Sequence, residues 1–420
     1  MIVRRALLAS VVCAFLHGVV EAAPPVADPS SQPSVIALRV GKVVTMDADN
    51  RVINNAIVVV RDGRIESVGR ARDIEVPDDA LLIEHPDAWL VPGLVELHNH
   101  TAGSLSDLND LVYLTNPGLR SLETVVPETA NVRRARAGGV TTALLIPGSG
   151  TNLTGFGTIV KFAGPTVGDM VVQSPGSLKV AQAGNPERYW FGVGRTMMNY
   201  NTRRTLALAE EYHEAWSSYE RGESTQSPVF NPIYDEFRGL FTGEVIASVH
   251  TQMYQVVMTT VDMLAGRFGF NTVLDHSTFD AWKTAPLVLE AGNVRTICGP
   301  RTFFLDNTQR KVHGIAARWY QGGVTDLGIN TDAPVIPQEE LTYQAAMNVY
   351  YGLKPSVALG TVTRAGAEAL QMEDRIGSIE VGKDADIGIW TGDPIDPRSW
   401  CLMTIVNGIV YYEAAKGRVF

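Results

Sequence analysis

Between residues 90 and 332 the chain repeats one pattern, a short apolar β-branched run followed by a stretch of helical character. The runs fall at residues 90–97, 140–146, 158–162, 177–180, 244–250, 272–276, 294–298 and 325–332. Such alternation, carried through residues 91–372, has the size and rhythm of a (β/α)8 barrel. A doubly wound sheet usually shows a Gly-x-Gly-x-x-Gly turn after its first strand, and none is present. A barrel makes a sharp demand, because its functional side chains sit at the C-terminal ends of strands. His98, His100, His250, His276 and Asp332 all close apolar runs. Any one of these histidines reads more simply as an ordinary core or loop residue. Five such positions together point to a metal centre built on imidazole and carboxylate.

The first run, Leu90-Val91-Pro92-Gly93-Leu94-Val95-Glu96-Leu97-His98-Asn99-His100, carries most of the argument. In a strand, side chains two residues apart share a face, so His98 and His100 are expected to project together. Two neutral imidazoles in that arrangement can chelate a borderline cation such as zinc. The plainer alternative is two polar residues leaving the strand for a surface loop.

Both ends of the chain read as short strands. Asp62-Gly63 and Asn407-Gly408 are strong hairpin signals. Residues 35–90 and 373–420 are therefore expected to make one small β-sandwich around the barrel at 91–372. Upstream, Arg4-Arg5, the apolar residues 6–20 and Val20-Glu21-Ala22 read as a secretory leader cleaved after Ala22. That apolar stretch is shorter than the roughly 20 residues a spanning helix needs. A Pro/Ser-rich lead-in at 23–34 would follow, and the expected address is periplasmic or secreted. The net charge of −10 argues against nucleic acid or an anionic membrane as partner. Cys13 leaves with the leader, and Cys298 and Cys401 match no zinc spacing and no disulfide framework.

At these residues the chain resembles the amidohydrolase superfamily, in particular its imidazolonepropionase-like and dipeptidase-like branch. The carriers are the 91–100 motif, the runs ending at His250 and His276, Ile329-Asn330-Thr331-Asp332-Ala333-Pro334, and the return sequence at 377–386. The resemblance implies one or two divalent transition metal ions, zinc foremost. His98, His100 and Asp332 would hold the more buried ion, and His250 and His276 a second. It also implies a bridging carboxylated lysine on the fourth strand, for which Lys179 is the candidate and Lys161 the competitor. A Lys179 that merely ends a strand at the surface is the alternative. Without a modified lysine, one ion would sit on His98, His100, His250 and Asp332, and His276 would contact substrate.

The implied chemistry is hydrolysis of a C–N bond. A metal-activated hydroxide attacks the carbonyl, and Asp332 shuttles the proton to the leaving nitrogen. Arg195 and Arg301 are candidates to clamp a substrate carboxylate, although such residues are more often surface or ion-pair groups. Export favours a dipeptide or N-acyl amino acid as substrate. A cyclic amide or imidazolone ring is one rival, and a catalytically silent binding barrel is another. The Gly-rich stretch 147–157 lacks the Gly-Lys-Ser/Thr ending of a nucleotide loop and is expected over the barrel mouth. The sequon at Asn152 is read as chance. The resemblance leaves room for a homo-oligomer.

Overall fold

The computed structural model describes residues 32–189 and 193–420. The leader expected at 1–22 and the lead-in up to residue 31 lie outside the described residues. The first four strands are β1 (Val35–Val44), β2 (Val52–Arg61), β3 (Arg64–Arg70) and β4 (Leu81–Pro92). Asp62 and Gly63 both take positive φ, 49° and 80°, as the two-residue turn joining β2 to β3 requires. The barrel strands follow as β5 (Leu94–Asn99), β6 (Val140–Leu145), β7 (Leu153–Lys161), β8 (Val171–Ala181), β9 (Ile246–Thr251), β10 (Thr272–His276) and β11 (Val294–Cys298). A hairpin, β12 (Phe303–Asp306) and β13 (Lys311–Gly314), precedes β14 (Gly328–Ile329). The chain then returns as β15 (Ile387–Trp390), β16 (Cys401–Val406) and β17 (Ile409–Glu413).

The terminal strands form one continuous sheet in the order β17-β16-β15-β4-β1-β2-β3, so the expected β-sandwich is realised as a single seven-stranded sheet. Ile36, Leu38 and Val58 from one chain end share a core with Ile387, Ile389 and Ile405 from the other. Gln32 lies against the sheet's outer edge, exchanging side-chain hydrogen bonds with the backbone of Val410.

The second sheet runs β14-β11-β10-β9-β8-β7-β6-β5. A parallel bridge from Asn99 to Ala333, with His100 N donating to Ala333 O at 3.0 Å, brings its two ends together. Residues of alternate strand positions sort into two cores. Leu94, Ala143, Leu145 and Leu274 pack with helix residues such as Val132, Val257 and Trp319. Val95, Leu97, Leu144, Ile159, Val273 and Ile297 gather into another cluster together with Ala367 and Leu370. Cys298 and Cys401 are buried free thiols, and burial pushes both thiols up, Cys401 to about 12.

One strand departs from the parallel pattern. β7 runs antiparallel to both β6 and β8. Its C-terminal residue, Lys161, therefore lies at the end of the barrel away from the β5, β9 and β10 termini. There Lys161 Nζ meets Asp384 at 2.8 Å, Asp386 at 3.0 Å and Asn407 at 2.5 Å. This removes Lys161 as a competitor for the metal bridge and makes it a clamp between barrel and terminal sheet. Lys161→Met would leave Asp386 without a cation and Asp384 with Arg375 and the exposed Arg64. Breaking a buried pair from one side costs about 3–5 kcal/mol, so a large drop in the thermal midpoint is expected. An unchanged melt would contradict the clamp.

Candidate metal centre

β5 carries His98 and stops one residue short of His100, and its pairing with β6 shifts between Glu96 and Asn99, which breaks the simple two-residue alternation. The two rings still converge, edge to face, with centroids 5.0 Å apart. Their Nε2 atoms lie 3.2 and 3.5 Å from Asp332 Oδ1. Glu96, fully buried two residues before His98, holds this geometry from behind. It accepts from His98 N at 2.9 Å, and from Thr331 N and Oγ1 at 2.9 and 2.6 Å. It thus ties β5 to the segment that presents Asp332. Burial pushes the Glu96 carboxyl up to about 7 despite those donors.

β10 contributes two neighbouring residues, which a regular strand would send to opposite faces. His276 resolves this by taking a left-handed backbone, φ 69°, so that both Asp275 and His276 reach the cluster. Ser277 and Phe279 are left-handed as well, at φ 46° and 50°. Such conformations are costly for side chains with a Cβ and persist only where surroundings over-determine them. Here Ser277 N donates to Thr251 O at 3.0 Å, Trp319 Nε1 donates to Ser277 O at 2.9 Å, and Thr278 Oγ1 donates to Gln252 O at 3.4 Å.

Lys179 is fully buried rather than at the surface, and its Nζ lies 2.7 Å from Asp275 Oδ2. Ser248 Oγ donates to the same oxygen at 2.5 Å, and His98 Nδ1 stands 3.4 Å from it. Burial works to raise the Asp275 carboxyl, yet the Lys179 ammonium and His98 hold it well below the usual carboxylate range. Asp332 also lies below the usual carboxylate range: burial works to raise it, and its proximity to His98, His100 and His276 lowers it. His250 completes the cluster, with Nδ1 at 2.9 Å from His276 Nε2.

Backbone carbonyls set the tautomers. His100 Nδ1 is 2.8 Å from Ile146 O and His276 Nδ1 is 2.9 Å from Gly299 O, so each Nδ1 carries the proton and donates. Each Nε2 is left with its lone pair directed at the cluster, the arrangement a metal-binding histidine needs. The residues also fit a cation by the chemistry of their donors. One ligand atom each from His98, His276 and Asp332 lie within 4.8 Å of one another. Burial holds the imidazoles neutral, His98 down to about 3 and His276 below its ordinary range, while Asp332 is anionic. Metal ligands must be in these protonation states. Within the cluster, His98 Nδ1 and Asp275 Oδ1 are buried with no hydrogen-bond partner among the described residues.

The structure therefore brings His98, His100, Lys179, His250, His276 and Asp332 into one contiguous cluster. The two arginines lie at its rim. Arg195 Nε donates to Glu187 at 2.9 Å and its Nη1 to Met253 Sδ at 3.3 Å. Arg301 is exposed and stacks on Phe279, 5.1 Å from the ring centroid. Sequence reasoning missed Glu96, Ser248 and Asp275. The available signal was a charged or polar residue inside an otherwise apolar run. Of the Gly-rich stretch, residues 147–152 form a loop at the mouth, where Asn185 Nδ2 donates to Ser149 Oγ at 2.9 Å. Residues 153–157 belong to β7 itself.

A pH dependence follows for the metal-free protein. A histidine whose folded pKa lies below its unfolded value of 6.5 stabilises the fold fully above that pH. The contribution is lost as pH falls toward the folded value, and His98, His250 and His276 all behave this way. Glu96 acts oppositely, losing stability as pH rises from 4.5 to about 7. Three imidazoles outweigh one carboxyl, so the thermal midpoint is expected to fall as pH is lowered from 6.5 to 4. A flat or rising profile in a thermal-shift series would contradict the buried neutral imidazoles.

Comparison with known proteins adds to this geometry. Residues 313–415 match the profile of the Amidohydrolase family. The chain is 27% identical over 387 residues to an imidazolonepropionase of Maricaulis maris, covering 84% of this chain and 91% of that one. It is 24% identical over 400 residues to the amidohydrolase tasK of Hapsidospora irregularis, spanning 85% of this chain but 40% of that protein's length. Among solved structures, an amidohydrolase from Thermotoga maritima MSB8 superposes with a TM-score of 0.80 and 27% identity, over 90% of this chain and 100% of that one. A Xaa-Pro dipeptidase with bound methionine, TM-score 0.57 and 17% identity over 90% of this chain and 100% of that one, shares the fold.

Proposed function

We propose that the chain, similar to amidohydrolases in sequence and fold, hydrolyses the C–N bond of a small amide, of the dipeptide or N-acyl amino acid type, at the His98–His276–Asp332 cluster. The observation that carries this reading is the convergence of neutral imidazoles on one ionised carboxylate at the mouth of the barrel. A divalent cation held there, on His98, His276 and Asp332 with His100 and His250 beside them, would supply Lewis acidity toward water and the substrate carbonyl.

The remaining work falls to the chain's own groups. Asp332, ionised and 3.2 Å from His98, accepts the proton of the attacking water and returns it to the leaving nitrogen. Gly299 O fixes the His276 tautomer, and Gln252 Nε2, 3.4 Å from His250 Nε2, steadies the second imidazole. Glu96 and Thr331 keep Asp332 in register with His98 on β5. Export is part of the proposal and is supported by the leader-like residues 4–22. Among the described residues no helix is long and apolar enough to cross a membrane.

The test is a hydrolysis screen of linear N-acyl amino acids and dipeptides beside cyclic amides and imidazolone rings. Turnover of linear amides, abolished by a chelator and restored by zinc or another divalent transition metal, is the expected result. Turnover confined to cyclic substrates would favour the second reading, which the imidazolonepropionase relatives support. No hydrolysis by the metal-supplemented protein would contradict both.

A further inference from the structure

The loop that leaves β11 begins at the cluster, since Gly299 O accepts the His276 Nδ1 proton. Two residues later comes Arg301, within ~7 Å of backbone reach from Gly299. Among the described residues its guanidinium forms no ion pair and no hydrogen bond, and its side chain is held by an aromatic face instead. That face is Phe279, three residues past His276 and fixed by the left-handed turn described above. Phe279 in turn packs edge-on against Phe304, 5.9 Å between centroids, and Phe304 packs against Trp282 at the same distance. The other rim arginine, Arg195, is already neutralised by Glu187. In a chain of net charge −10, a cation on the loop after β11 that forms no ion pair among the described residues is available to an incoming anion.

We propose that Arg301, stacked on Phe279, is the subsite that binds the carboxylate of the substrate. The proposal rests on the amide-hydrolase reading, with the scissile amide at Asp332 and the carboxylate reaching the loop after β11. The guanidinium fork accommodates a carboxylate through two parallel N–H···O bonds, and the ring face limits the orientations the fork can take. The apolar faces of Phe279 and Phe304 beside it favour an apolar side chain on the residue that bears the carboxylate.

The experiment measures binding and turnover of N-acetyl amino acids and of their C-terminal amides by wild type, Arg301→Gln and Arg301→Lys. Wild type is expected to bind the acids about 10- to 100-fold more tightly than the amides, the range of a charge-assisted hydrogen bond. R301Q should remove the difference, R301K should retain part of it, and all three should melt alike because Arg301 is exposed. Equal binding of acid and amide by wild type, or an undiminished preference in R301Q, would overturn the subsite. The two claims separate cleanly. Hydrolysis without a carboxylate preference keeps the reaction and overturns the Arg301 role. Arg301-dependent binding of the acids without their hydrolysis keeps the subsite and overturns the reaction.

Discussion

Asp332→Asn is expected to lower kcat by about 10²–10⁴-fold, the usual span for losing a positioned general base and acid. The substitution keeps the shape of the side chain and one oxygen toward His98 and His100. It removes the negative charge of a carboxyl that lies below the usual range despite its burial. Because the lost step occurs in the transition state, kcat and kcat/KM should fall together while KM changes little. Retention of metal in the variant would separate loss of proton transfer from loss of the ion. Unchanged turnover would contradict the role given to Asp332.

The second large effect concerns Lys179 and Asp275, a pair with no exposed surface. Lys179→Met leaves an uncompensated buried carboxylate beside Ser248, at a cost of about 3–5 kcal/mol. Asp275→Leu leaves a buried ammonium and should cost a similar amount. The double variant should regain much of the loss, because an apolar pair of similar volume carries no stranded charge. Strictly additive losses in denaturation would show that the contact contributes little. A carboxylated Lys179 would set a second anion beside Asp275, an arrangement that needs adjacent cations to hold it. Intact-mass measurement of the native protein distinguishes the free ammonium from the modified side chain.

The five strand-end positions were legible because a barrel places function at one end of its strands, so a list of apolar runs becomes a list of candidate ligands. The direction of β7 was not legible from its composition, since an apolar run reads the same both ways. Its direction shows in the fold, where β7 begins at Leu153 and residues 146–152 are too few for a parallel crossover, which needs a dozen or more residues. Missing that turned Lys161 into a site candidate when it faces the terminal sheet. Glu96 and Asp275 stayed hidden for another reason. Each is explained by a partner far along the chain, Thr331 for Glu96 and Lys179 for Asp275. No local pattern predicts such pairings. The terminal sheet was easier, because Asp62-Gly63 and Asn407-Gly408 mark hairpins by conformational necessity. Choosing between Arg195 and Arg301 required their neighbours, which only the folded chain supplies.

The central claim, that His98, His276 and Asp332 with their neighbours hold a catalytic cation, is tested most directly by elemental analysis of the purified protein. One or two equivalents of zinc or another divalent transition metal per chain are predicted, with most of it lost in His98→Ala and His276→Ala variants that still melt cooperatively. Protein that binds no divalent transition metal after supplementation, or variants that keep the full wild-type content, would contradict the account.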